Sequence, residues 1–146
     1  MYYLTLIIVL LFLVPQAHAK GVGVGLMLGE TTGVTAKSPQ GDTALDAGLG
    51  WSVGGSNPLQ LHGDHLWIVP GAMYYKESTA LDLHFGIGGR MKFDDEINLG
   101  ARFPIGLSSQ LGEGRSEFFG EVAPIIDILP DLDVEGHVMV GVRFYL

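Results

Sequence analysis

Two short stretches hold the residues with the most chemistry to offer: His62-Gly63-Asp64 and Asp82-Leu83-His84. Each sets an imidazole and a carboxylate two positions apart, the spacing that aims both side chains at one face of a β-strand. Two imidazoles and two carboxylates could together bind a zinc-like ion. The same groups can equally hydrogen-bond to one another in a packed interior, and the expectation is of no metal and no cofactor. The chain has no cysteine, so disulfides, thiolate nucleophiles and cysteine metal sites are excluded. Ser108-Ser109 has no histidine in its own segment, so a serine–histidine pair could form only across strands. Gly21-Val22-Gly23-Val24-Gly25-Leu26 does not cradle phosphate. G-x-G-x-x-G would need a third glycine where Leu26 or Leu28 stands, and the chain contains no Gly-Lys pair for a P-loop.

Positioning these groups requires strands. Val22, Val24, Leu26 and Leu28 interleave with glycines, and Leu45, Ala47, Leu49 and Trp51 interleave with Asp46, Gly48, Gly50 and Ser52. The same period of two returns in Leu81–Arg90, Ile97–Leu107 and Val134–Leu146. Turn-forming clusters rich in Gly, Pro, Asp, Asn and Ser separate the runs. Eight strands are expected near residues 21–29, 33–38, 43–53, 59–69, 80–92, 97–109, 117–127 and 134–146, with Pro70–Thr79 as a long connection.

The alternation sorts the charges onto one face. Lys37, Arg90, Arg102 and Arg143 share it with Asp46, Asp64, Asp82, Glu121 and Glu135, and with His62, His84 and His137. The opposite face is almost wholly Val, Leu, Ile, Ala, Phe and Trp. Glycines crowd the charged face, which suits a narrow interior where a long side chain fits only beside a small one. Gly21, Gly23 and Gly25 then line that interior, while Val22, Val24 and Leu26 face outward. Charge inside and apolar surface outside is the reverse of a soluble domain, and matches lipid contact.

Bulk properties agree. A chain of 146 residues is one domain. Leu4–Val14 is an apolar run of eleven residues followed by Ala17-His18-Ala19, too short for a membrane helix and shaped as a signal peptide with its cleavage site. Residues 1–19 are read as that peptide and 20–146 as the mature domain. A formal charge of −8 argues against nucleic acid. Mean hydropathy is +0.33, with no second long apolar run, so the apolar residues are dispersed among strands.

Together these features predict an all-β, eight-stranded antiparallel up-and-down transmembrane β-barrel of the bacterial outer membrane. Gly25–Lys37, Gly100–Leu107 ("GARFPIGL") and Phe118–Pro124 ("FFGEVAP") resemble uncharacterised short-loop members of the small outer-membrane barrels. That family is typified by outer-membrane proteins A and X. The closing pattern Gly141-x-x-Phe144-x-Leu146 is similar to the terminal signal read by the outer-membrane assembly machinery. The resemblance implies a monomer whose partners are membrane lipid and that machinery. The charged face is expected to be a paired plug rather than an ion path, with Arg102 and Arg143 meeting Glu121 and Glu135. The lipid A deacylases of similar size carry His-x-Ser where this chain has His137-Val138-Met139, so no catalysis is expected. Trp51, Trp67, Tyr74, Tyr75, Phe93 and Tyr145 fit interfacial belts. The alternatives are a lipid-modifying barrel enzyme and a secreted soluble barrel with an apolar ligand.

Overall fold

The computed structural model describes residues 21–52, 59–76, 79–111 and 115–146. The segment 1–19 and the turn 54–58 lie outside the described residues. The alternating segments form nine strands: β1 (Gly23–Gly29), β2 (Thr31–Gln40), β3 (Thr43–Ser52), β4 (Leu59–Tyr75), β5 (Thr79–Phe93), β6 (Ile97–Arg102), β7 (Ile105–Leu111), β8 (Ser116–Leu129) and β9 (Asp133–Tyr145).

All pairings are antiparallel, and they close. β1 pairs with β2, β2 with β3, β3 with β4 and β4 with β5. β6 and β7 lie end to end between β5 and β8 and fill one position. β8 pairs with β9, and β9 returns to β1. The sheet is therefore a ring of eight strand positions without a free edge along most of its length. Pro104, which has no N–H, separates β6 from β7 inside the predicted 97–109 strand. The break is local: Phe103 N donates to Pro124 O and Gly86 N to Pro104 O, both at 3.0 Å.

The register measures the ring. From Glu117 on β8, partners run Arg143, Gly25, Thr35, Gly48, His62, Arg90, Gly100 and then Asp127, again on β8 but ten residues further along. An offset of ten over eight strands, at about 3.3 Å per residue and 4.8 Å between strands, tilts the strands by about 40° and gives a backbone radius of about 8 Å. Such a lumen is filled by side chains.

One connection differs from its expectation. Pro70–Tyr75, predicted as a linker, continues β4. Pairing of β4 with β3 ends at Trp67, so Pro70 sits where its missing N–H costs no ladder bond on that side. Between Val69 and Met73 the β4–β5 register shifts by a bulge, with Gly71 at φ +60°, a left-handed conformation natural to glycine.

Burial is inverted. Val24, Leu26, Val34, Leu61, Ile87, Val122, Val138 and Val140 are exposed on the outside, whereas Lys37, Asp46, Asp64, Arg90, Arg102, Glu117, Glu121 and Arg143 are buried. Met27, Phe119 and Met139 form the apolar cluster within the ring.

Candidate functional site

Many of the buried charged residues lie in register rows, because each faces inward opposite its neighbours' inward residues. One row runs Tyr145, Gly23, Lys37, Asp46, Asp64, Gly88, Arg102 across seven strand positions. The second is the Glu117-to-Asp127 row traced above. In both, glycines stand beside the bulkiest groups. A Cβ at Gly23 would come within 2.7 Å of the Tyr145 ring, one at Gly48 would strike the His62 ring, and one at Gly88 the Asp64 carboxylate. Glycine on the polar face thus gives the space into which a neighbouring strand's side chain crosses.

Three linked groups of ion pairs fill the lumen. In the first, Glu117 accepts from Arg143 Nη1 at 2.8 Å and from the Tyr145 hydroxyl at 2.8 Å, with Lys37 Nζ at 3.5 Å. Arg143 also donates through Nη2 to Asp46 Oδ2 at 3.0 Å and to Thr35 Oγ1 at 3.1 Å, and its guanidinium lies 3.9 Å from the Phe119 ring centre. In the second, Arg102 donates to Asp64 Oδ2 and, at 2.6 Å, to Glu121 Oε2, while His84 Nε2 lies 3.0 Å from Glu121 Oε1. In the third, Arg90 Nη2 meets both Asp127 oxygens at 2.7 Å, and Nη1 meets Glu135 Oε2 at 2.9 Å and His137 Nε2 at 3.2 Å. Charge-assisted bonds of this kind offset the cost of taking the ions out of water.

Against the sequence expectations, Arg102 meets Glu121, but Arg143 meets Glu117 and Asp46, and Glu135 belongs to Arg90. Asp82 is not part of the network: its Oδ1 accepts from Gly71 N at 2.8 Å and satisfies an amide freed by the bulge. The two His/Asp pairs do not converge. His84 is opposite Ile68, four residues along β4 from Asp64, or about 13 Å along the strand. His62 and Asp64 instead gather with Asp46. Glu117 and Asp127, absent from the sequence-derived set, share the odd-numbered parity of Glu121 on β8, and that parity was the signal for both.

Gly141 and Phe144 lie in β9, Phe144 outward and exposed, and Leu146 N donates to Val22 O at 3.2 Å, extending the seam. Of the aromatic set, Trp51, Trp67, Tyr74, Tyr75 and Phe93 are exposed, whereas Tyr145 turns inward to Glu117. Chemically, the lumen is a set of paired positive and negative groups that tie β2, β3, β4, β5, β6, β8 and β9 together, with Asp46 Oδ1 and Asp64 Oδ1 left without a hydrogen-bond partner. No family model, curated protein or solved structure matches the chain.

Proposed function

We propose that the chain is a small structural or interaction protein of the bacterial outer membrane: an eight-stranded up-and-down transmembrane β-barrel, monomeric, with its lumen plugged by side chains and closed to ions. Its partners on this reading are membrane lipid and the assembly machinery that inserts barrels. The single observation that supports it most is the inverted burial. Exposed apolar patches beyond a few hundred Å² mark contact with something other than water, and here the outward face is apolar around the ring while Arg90 and Arg102 are at most 1% exposed. The aromatic residues add a dimension. Trp51, Leu59 and Phe93 share one register level, and Trp67 stacks on Phe85 with ring centres 5.9 Å apart nearer the other end. With the 40° tilt, the eight residue steps from Leu59 to Trp67 rise about 20 Å along the axis, close to the apolar band of such barrels.

The test is to refold the full chain with and without detergent or phospholipid vesicles. A compact, heat-modifiable species that requires amphiphile, and planar bilayers without a steady conductance step, are the expected results. A stable monomer in detergent-free buffer would refute membrane residence; reproducible nanosiemens channels would refute the plug.

A further inference from the structure

Asp46 and Asp64 stand directly opposite each other on β3 and β4, both facing inward. Like charges in that relation repel, and the arginines that reach them bond only one oxygen of each. Arg143 takes Asp46 Oδ2 and Arg102 takes Asp64 Oδ2. The other oxygens, Asp46 Oδ1 and Asp64 Oδ1, are buried without a hydrogen-bond partner, on residues only 6% and 4% exposed. His62 places Nε2 3.7 Å from Asp46 Oδ1 and 4.0 Å from Asp64 Oδ2. Both distances are too long for hydrogen bonds. The first is near, and the second about half an ångström beyond, the roughly 3.4–3.6 Å that separates two ligands held about 2.1 Å from one ion at tetrahedral or trigonal angles. One ligand atom from each of the three residues lies within 4.8 Å of the others.

Charge points the same way. Around this cluster three cations (Lys37, Arg102, Arg143) face four carboxylates (Asp46, Asp64, Glu117, Glu121). Glu117 is covered by Lys37 and Arg143, and Glu121 by Arg102 and His84. Asp46 and Asp64 each have one arginine, shared with a glutamate, so the excess negative charge falls where the two aspartates meet.

We infer that Asp46, His62 and Asp64 bind one divalent transition-metal ion of zinc-like ligand preference. His62 supplies Nε2 and each aspartate one carboxylate oxygen. An imidazole with two carboxylates suits zinc better than magnesium or calcium, which prefer all-oxygen shells. Arg102 and Arg143 hold the carboxylates from behind, as outer-shell donors do in metal sites. The site is enclosed, so the ion enters as the ring closes, and it ties β3 to β4 from inside.

The test uses the full chain refolded in detergent with equimolar Zn2+, dialysed against metal-free buffer and assayed by atomic absorption. Folding of each variant is checked by heat-modifiable migration on gels. Wild type should retain one zinc per chain, His62→Gln at least about tenfold less, and His137→Gln, which alters a buried histidine bonded to Arg90 and outside the cluster, the wild-type amount. Wild type refolded with Co2+ should show visible ligand-field absorption that is absent when Zn2+ is present in excess during refolding, a readout independent of whether a variant folds. Folded wild type that retains no zinc and gives no Co2+ spectrum overturns the assignment, leaving a proton shared by the two carboxylates. Equal retention by His62→Gln overturns it as well.

Discussion

Replacing Arg102 with methionine keeps most of its volume and removes a guanidinium that is wholly buried between Asp64 and Glu121. Each of its two charge attractions is worth about 4 kcal/mol at an effective dielectric near 20. Losing a buried cation returns several kcal/mol of desolvation. What remains is a net destabilisation of about 3–5 kcal/mol, the range measured when one partner of a buried ion pair is deleted. The loss falls unevenly. Glu121 keeps His84 at 3.0 Å, whereas Asp64 is left opposite Asp46 with no cation bonded to it. Adding Asp64→Asn should therefore recover at least about 1 kcal/mol, as coupled neighbours do. The assay is urea unfolding of detergent- or vesicle-refolded protein, followed by the fluorescence of Trp51 and Trp67, with a chelator present so that no bound ion contributes. Should Arg102→Met lie within about 0.5 kcal/mol of wild type, the level of a surface change, the buried network would not be holding the ring together.

Val122 points outward halfway along β8, opposite Ile105 and Val138. Val122→Arg should cost about 2–4 kcal/mol of folding free energy in vesicles, while Asp131→Arg in an exposed turn should stay within about 0.5 kcal/mol, both by urea titration. Gly25→Ala should destabilise by about 1–3 kcal/mol, because the new Cβ would strike the Val142 carbonyl and come within 2.7 Å of Arg143 Cα. Gly136→Ala, with nothing within 4 Å, should instead be neutral or stabilising by up to about 1 kcal/mol; equal thermal midpoints for these two variants would contradict the packing account. Tyr145→Phe removes a 2.8 Å bond to Glu117 and should lower stability by about 1.5 kcal/mol, the low end for a charged acceptor that keeps other donors.

Strand faces were legible in the sequence because a period of two needs only parity. Lys37, Asp46, Asp64, Arg90, Arg102 and Arg143 could be assigned to one side from their neighbours alone. Height could not. Which cation meets which carboxylate depends on the ten-residue offset around the ring, and nothing local encodes that offset. Arg143 therefore meets Glu117, opposite it on the neighbouring β8, and Asp46, 97 residues away in sequence on β3, instead of Glu135. The two prolines illustrate the same limit from opposite sides. Pro70 reads as a break yet continues a strand where one edge is unpaired, while Pro104 reads as part of a strand and divides it. Asp82 has the parity of His84, but a bulge whose position the alternation does not reveal gives it an amide to bind.

The seam between β1 and β9 joins residues roughly a hundred and twenty positions apart, such as Gly23 with Tyr145. Arg143, carried by the last strand, bonds Thr35 on β2, Asp46 on β3 and Glu117 on β8 in a single reach. Until that seam closes, Asp46 has no arginine, and Glu117 has Arg143 across its own hairpin but not Lys37. Contacts so remote in sequence form late, since the chain must give up its loop entropy before they contribute. An incomplete ring accordingly holds water around unmatched carboxylates and cannot dry. Closure, neutralisation and expulsion of that water become one event, timed by the delivery of a single arginine.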